Sequence, residues 1–241
     1  MKVAIIGYGV MGREIEKILQ ERGHETVLVI DADNRDMLTA DNLRKADAAI
    51  EFTTPSTARA NVSACLQAGI PVVCGTTGWN DDLKSAYEEC DRLGGTFFWS
   101  SNFSIGVNIM FMVNRYLAHI MDRFPEYEVS MTEVHHTRKK DSPSGTAVTI
   151  AEGIIDNMER KSSWVNHAAS SASEVAIESV REGDVPGIHE VRYESEADTL
   201  TIRHSAKGRR GFALGAVMAA EFAVTHKGVL CMDDMLDFKL K

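Results

Sequence analysis

Apolar and polar positions follow one rhythm over the first hundred residues and another beyond. Lys2–Ile6 is a short apolar run that reads as a strand, and Met11–Glu21 has helical spacing through Ile15, Ile18 and Leu19. Thr26–Ile30 and Ala48–Phe52 read as the next strands, followed by a helix from Ser56 to Gln67 that Gly69 ends. Val72–Cys74 and Thr96–Ser100 are further strands, separated by a helix from Asp81 to Leu93. Such alternation predicts parallel strands joined by right-handed crossovers, a doubly wound α/β sheet of the Rossmann type.

The rhythm then changes. A long helix, Val107–Arg123, stops before Pro125, and a strand, Tyr127–Val134, follows. After a helix from Ser144 to Arg160 come three strand-like runs without helices between them: Val175–Arg181, His189–Ser195 and Thr199–His204. Consecutive strands with turn residues between them predict an antiparallel or mixed sheet, and so a second, α+β unit beginning near Ser104. A last helix, Phe212–Thr225, is apolar over much of its surface.

Composition narrows the class. At 44% hydrophobic and 25% charged residues the chain is ordinary globular protein, which argues against disorder. No apolar run approaches the roughly 20 residues of a membrane span. The N-terminus reads as a strand rather than a secretory signal, and four cysteines without a CxxC pair read as reduced thiols, so a cytoplasmic location is expected. A formal net charge of −9 argues against a nucleic-acid surface.

Gly7-Tyr8-Gly9-Val10-Met11-Gly12 is GxGxxG placed directly between the first strand and the first helix. There the glycines permit a tight turn, close approach to a pyrophosphate and close helix–strand packing. Asp31, about twenty residues beyond Gly12, ends the second strand, where an acid can bind the adenosine ribose. A carboxylate there repels a 2′-phosphate, so NADH is the expected cofactor; Arg13 and Arg35 leave room for NADPH. Phe52-Thr53-Thr54-Pro55 and Gly75-Thr76-Thr77-Gly78 each follow a strand, at the carboxyl edge where such sheets bind ligands. As isolated motifs they are equally well read as ordinary turns.

Residues 133–146 gather two imidazoles and three cations in an acidic chain, which suggests a seat for a small anion. Asp141 or Ser142 is the expected helix cap, with Pro143 in the first turn; the N–H groups near Ser144, Gly145 and Thr146 then face a carboxylate or phosphate. His135, His136 and Lys139 stand just upstream as candidate proton and charge donors. As a charge run, Arg138-Lys139-Lys140 reads first as a solvated loop, with room for a role for one or two of the three. No metal site is expected, since adjacent strand histidines point apart and no HExxH occurs. No GxSxG elbow supports nucleophilic hydrolysis. Lys207-Gly208-Arg209-Arg210 is a second basic cluster, whose cations oppose the dipole of the last helix.

The stretch from Glu133 to Ala147 resembles the signature E-x-H-H-x-x-K-x-D-x-P-S-G-T-A of the dihydrodipicolinate reductase family, with every fixed position matched. The likeness extends through the glycine loop with Arg13, both Thr-Thr turns, Asn102–Gly106, Arg181–Gly183, Gly187–His189, His204 with Arg209, and Met232–Leu236. It implies a dinucleotide-binding domain of residues 1–103 and 206–241, and a substrate-binding and oligomerisation domain of residues 104–205. The implied cofactor contacts are Gly7, Gly9, Val10, Met11, Gly12, Arg13, Asp31, Phe52, Thr53, Gly75, Thr76, Thr77, Ser101, Asn102 and Phe103.

By the same likeness His135 is the general acid, with Lys139 beside it. His136, Ser144, Gly145, Thr146 and Arg209 hold the carboxylates of a small cyclic dicarboxylate. The implied reaction is its reduction by NAD(P)H in diaminopimelate and lysine biosynthesis, in a homotetramer. Two rivals remain: a dehydrogenase of another small acid such as an amino acid, and a dinucleotide sensor without turnover.

Overall fold

A computed structural model describes residues 1–237. The chain forms two compact units, one of Met1–Ile105 with the segment from Arg209 onward, the other of Gly106–Gly208. The expected segment 206–241 thus ends in four positions that lie outside the described residues.

The first unit begins with β1 (Lys2–Ile6), α1 (Val10–Glu21) and β2 (Glu25–Ile30), followed by a 3-10 turn, Ala32–Met37. Next come α2 (Ala40–Leu43), β3 (Ala48–Glu51), α3 (Pro55–Ala68), β4 (Val72–Cys74), α4 (Asn80–Leu93) and β5 (Thr96–Trp99). In the second unit lie most of α5 (Ile105–Met121), β6 (Glu128–His135), α6 (Gly145–Ile155), β7 (Ser163–Val165), β8 (Glu174–Arg181), β9 (Ile188–Glu194) and β10 (Thr199–Ser205). The chain then returns to the first unit with α7 (Arg210–Ala223), β11 (Gly228–Leu230) and α8 (Met232–Leu236).

The first sheet is parallel, in the order β11-β5-β4-β3-β1-β2. Both faces are covered. Ala4 and Ile6 of β1 pack with α3 and α4, while Val3 and Ile5 pack on the opposite face with α1 and α7. Burial on both faces is why these strands are continuous apolar runs. The order reverses between β1 and β3, so their carboxyl ends diverge and leave a crevice there.

The second sheet is mixed, in the order β10-β9-β6-β8-β7. Strand β6 runs parallel to β8 and antiparallel to β9, which brings both partners to its two edges. Along β6 buried residues alternate with more accessible ones. Val129 and Met131 face a core shared with Ala147 and Ile150 of α6 and Ala118 of α5. Ser130, Thr132, Glu190 and Arg192 line the other, open face.

Three expectations need correction. The helix predicted from Ser144 to Arg160 ends at Ile155, and its cap is Ser144 rather than Asp141 or Ser142, the Ser144 hydroxyl accepting from Ala147 N–H at 3.2 Å. Pro143 therefore precedes the helix, joined to Ser142 by a cis peptide. The short elements α2, β7, β11 and α8 were not expected; a strand of three residues is too short to display a period of two.

Candidate active site

In the first unit the glycine loop is shaped by what surrounds it. Gly7 has φ 94°, and a Cβ there would lie 2.0 Å from the Phe52 carbonyl oxygen. A Cβ on Gly12 would lie 2.2 Å from the Gly7 oxygen, so the third glycine lets α1 pack against the turn. Gly9 differs: a Cβ there would meet nothing within 4 Å. Its surroundings are open, as a pyrophosphate arriving at the N-terminus of α1 requires. Val10 is 64% exposed beside that opening, whereas half-buried Met11 packs onto the core. Arg13 is exposed, its guanidinium 5.6 Å from the centre of the Tyr8 ring.

A cavity of about 280 Å³ opens at this crevice, lined by Gly7, Gly9, Asp31, Arg35, Phe52 and Thr53 among others. Asp31 follows β2 directly and is exposed, as is Arg35, which donates to Asn61 Oδ1 at 3.4 Å. The residues present fit a nicotinamide dinucleotide: an open helix start for the diphosphate, and an acid and a cation at the ribose end.

The two Thr-Thr turns are tied together by a residue the sequence reading passed over. Glu51, fully buried at the end of β3, accepts from Cys74 Sγ at 2.9 Å and Thr76 Oγ1 at 2.8 Å with one oxygen. The other accepts from Asn61 Nδ2 at 3.1 Å and from the Thr53 hydroxyl. Thr76 Oγ1 also accepts from Thr53 N–H at 2.7 Å. The side chain of Thr76 is thereby committed internally, while Thr77 stays exposed. Gly75 lies against the Phe52 ring, where a Cβ would be 2.1 Å from a ring carbon.

Beyond β5, Ser101 is exposed and Asn102 accepts from Ser104 N–H at 2.9 Å. Phe103 departs from a simple contact role. Its ring is buried against Phe52 and Phe98, each 5.8 Å away between ring centres, so the ring is packing rather than a surface offered to a ligand.

The second unit assembles the acid and anion groups. Glu133 and His135 lie two apart on β6 and point to the same face. Nδ1 of His135 sits 2.5 Å from Glu133 Oε2, an ion-pair approach whose angles fall outside those of a linear hydrogen bond. Oε1 of Glu133 accepts from Arg181 Nη2 of β8 at 2.8 Å and from Ser144 N–H at 3.2 Å. Burial alone would raise the Glu133 carboxyl; bonding from His135, Arg181, Ser179 and Ser144 outweighs it and holds the group well below the usual carboxylate range.

His189 on β9 faces His135 edge-on, their ring centres 5.1 Å apart, and its Nε2 lies 3.2 Å from Ser144 Oγ. Burial, with the His135 charge adding to it, lowers His189 to about 4. Burial lowers His204 on β10 too, paired with His189 across the ladder. His189 is thus neutral near pH 7, which leaves His135 as the imidazole with a carboxylate partner.

Lys139 Nζ lies 2.9 Å from Asp141 Oδ1 in the turn after β6; burial opposes ionisation of Asp141, but the Lys139 bond lowers its carboxyl overall. His136 is half-buried beside it. Arg138, 71% exposed, pairs with Asp184. Gly145 opens α6 and is exposed, with Thr146 next to it, so the positive end of the helix dipole is presented there. Ser144 corrects expectation again: its N–H goes to Glu133, and its hydroxyl to Ala147 N–H and His189. It supports the turn from inside rather than facing a ligand.

Arg209 belongs to the first unit, where it precedes α7, so the second unit's cluster does not contain it. Its neighbour Arg210 is committed to a two-point pair with Glu21 at 2.9 and 2.5 Å. Glu133, Arg181 and His189 complete the cluster, although the sequence reading gave them no role; only the strand register joins them.

The donors Glu133, His135 and His189 also form a compact set of potential metal ligands. A tetrahedral metal at usual bond lengths would hold its nitrogen and oxygen ligands about 3.3 Å apart. The 2.5 Å between Glu133 and His135 is too close for two ligands of one such ion. Among the described residues no helix is long and apolar enough to cross a membrane. All four cysteines are free thiols, Cys231 exposed and the others buried.

Comparisons with known proteins agree over the whole chain. The family described as Dihydrodipicolinate reductase, N-terminus, matches residues 1–103, and that described as Dihydrodipicolinate reductase, C-terminus, matches residues 106–236. The 4-hydroxy-tetrahydrodipicolinate reductase of Christiangramia forsetii is 43% identical over 238 residues, 98% of each chain. That of Lawsonia intracellularis is 30% identical, over 94% of this chain and 95% of its own. A solved dipicolinate-bound dihydrodipicolinate reductase from Paenisporosarcina sp. TG-14 has a TM-score of 0.79 and 24% identity, covering 97% of this chain and 98% of that one, and shows the shared fold. With both halves matched and a relative this similar along its full length, the chain belongs to the dihydrodipicolinate reductase family.

Proposed function

We propose that this chain is an NAD(P)H-dependent oxidoreductase that reduces 4-hydroxy-tetrahydrodipicolinate to tetrahydrodipicolinate, in diaminopimelate and lysine biosynthesis. Family membership supports the reaction class. The observation that carries the mechanism is one imidazole, His135, paired with a carboxylate while its neighbour His189 is kept neutral beside the start of α6.

Bound NAD(P)H supplies a hydride to one ring carbon. The chain's own residues do the rest. His135 gives its proton to the adjacent position, so that no carbanion accumulates. Lys139, His136 and the N–H groups of Gly145 and Thr146 hold the carboxylates and fix the ring's orientation. Arg209 is a further candidate for a carboxylate. The cradle of Gly7 to Arg13 takes the diphosphate, Asp31 the ribose, and the loops around Thr53, Gly75–Thr77 and Ser101–Asn102 the nicotinamide end. NADH is the preferred donor because Asp31 lines the ribose end of the cavity; Arg35 beside it admits NADPH.

Homotetramer formation through the open face of the second sheet, and work in the cytoplasm, complete this reading. The deciding experiment is NADH consumption with substrate freshly generated by the preceding synthase. Turnover supports the assignment. Folded protein that binds NADH yet turns over nothing with either cofactor would favour a sensor, and turnover only of another small acid would favour a different dehydrogenase.

A further inference from the structure

We infer that Glu133 is a positioning residue, one carboxylate that both orients the His135 ring and fixes the seat of the substrate carboxylate. This rests on the reading of His135 as the proton donor. The two oxygens of Glu133 have different partners. Oε2 lies 2.5 Å from His135 Nδ1, while Oε1 takes Ser144 N–H at 3.2 Å and Arg181 at 2.8 Å. The carboxylate is fully buried, so neither contact is screened by water. The contact at Nδ1 leaves Nε2 on the Gly187 side, away from Glu133.

The other charged and titratable groups around His135 do not supply this function. His189 on β9 is lowered to about 4, and His204 on β10 is lowered as well, so neither is charged near pH 7. Lys139 is a cation, and half-buried His136 has no anionic partner among the described residues. Arg181 on β8 is a cation that meets the outer oxygen, and it reaches the turn too, donating to Asp141 O at 2.6 Å. Glu133 is the anion at the ring. Through Ser144 it is also bonded to the cap of α6, so the spacing between proton donor and helix start is held by a single side chain.

Two variants separate the halves of this role. In Glu133→Gln the amide oxygen can still accept from Ser144 N–H and Arg181, while its NH₂ meets His135 Nδ1. Glu133→Ala loses both. The primary readout is the setting of the His135 ring, followed through its ring signals by NMR in histidine-labelled full-length protein and assigned with His135→Gln. In Glu133→Gln the group against Nδ1 changes from a carboxylate to an amide, so those signals should move and kcat should fall by about tenfold or more, with KM for the dicarboxylate nearly unchanged. Glu133→Ala should raise KM several-fold in addition, with NADH affinity kept in both variants.

Unmoved His135 ring signals in folded Glu133→Gln, its folding shown by thermal unfolding and NADH binding, would overturn the inference. A purely structural carboxylate would lower Tm without moving those signals. Because NMR needs no turnover, moved signals in an enzyme that fails to reduce the substrate would sink the proposed reaction and leave the positioning role standing.

Discussion

Gly187 and His135 are matched at close range: a Cβ on Gly187 would stand 3.0 Å from Nε2 of His135, and the glycine holds φ 155°. An alanine there is strained in its backbone and displaces the ring proposed to give the proton. Gly187→Ala should lower kcat by roughly tenfold to a hundredfold, the scale of an ångström-sized misplacement, with little change in NADH affinity. Steady-state kinetics with NADH titration by fluorescence would check this. Near wild-type kcat would mean that the ring needs no such clearance.

Removing the acid itself should cost more. His135→Gln and Lys139→Ala should each lower kcat strongly, about 10²–10⁴-fold for the loss of a positioned proton donor. Both groups lie in the second unit, so the glycine cradle is untouched. A variant that keeps its kcat removes that residue from the mechanism.

Acid stability should carry the mark of His189. Its folded value is about 4 against an ordinary 6.5, so the folded state resists its protonation. The associated stability is complete above pH 6.5 and is lost as pH falls from 6.5 towards 4. The whole effect is at most about 3 kcal/mol. Glu133, held low, adds a loss below the ordinary glutamate range, in the same direction. Urea unfolding at several pH values should show a fall across pH 6.5 to 4 that flattens in His189→Gln. An equal slope in that variant would assign the fall elsewhere.

Gly9 and Gly12 make opposite predictions although they share one motif. Gly9→Val adds a side chain where the fold has open space, so Tm should hold while NADH affinity falls steeply. Gly12→Ala meets the Gly7 carbonyl oxygen at 2.2 Å, so it should destabilise the fold by about 1–3 kcal/mol, the range of overpacking. Thermal melts with and without NADH distinguish the two.

Cofactor choice should turn on Asp31 and Arg35, which line the same cavity. Asp31→Ser should raise kcat/KM for NADPH relative to NADH, and Arg35→Ala should lower it. A wild-type enzyme with clear preference for NADPH would overturn the weight given to Asp31.

Local features were legible because their cause is local. The GxGxxG loop needs only the residues of one turn, the continuous apolar run of β1 shows a strand buried on both faces, and β6 buries every second residue. The helix after residue 143 was expected for the right reason, yet its cap was misplaced. Asp141 and Ser142 cap helices as readily as Ser144 does, and the choice depends on where Glu133 and His189 sit. Glu133, Arg181 and His189 meet because β6 pairs with β8 on one edge and β9 on the other. Such contacts join residues up to dozens of positions apart, which no period or spacing reveals. The Glu51 network was missed for the same reason, since its donors come from β4, α3 and the two turns.

Helix α7 gives the chain an unusual order of completion. Ala213, Ala216, Val217, Ala220 and Ala223 cover one face of the parallel sheet, where Val3, Ile5, Val73 and Phe98 lie, and Gly215 allows contact with the Phe103 carbonyl. These residues leave the ribosome after the whole of the second unit. A nascent chain therefore emerges with its oldest segment still bare on one side, while the segment made later can already close its own core. Translation halted just before Arg210 would yield a finished second unit joined to an open, aggregation-prone sheet.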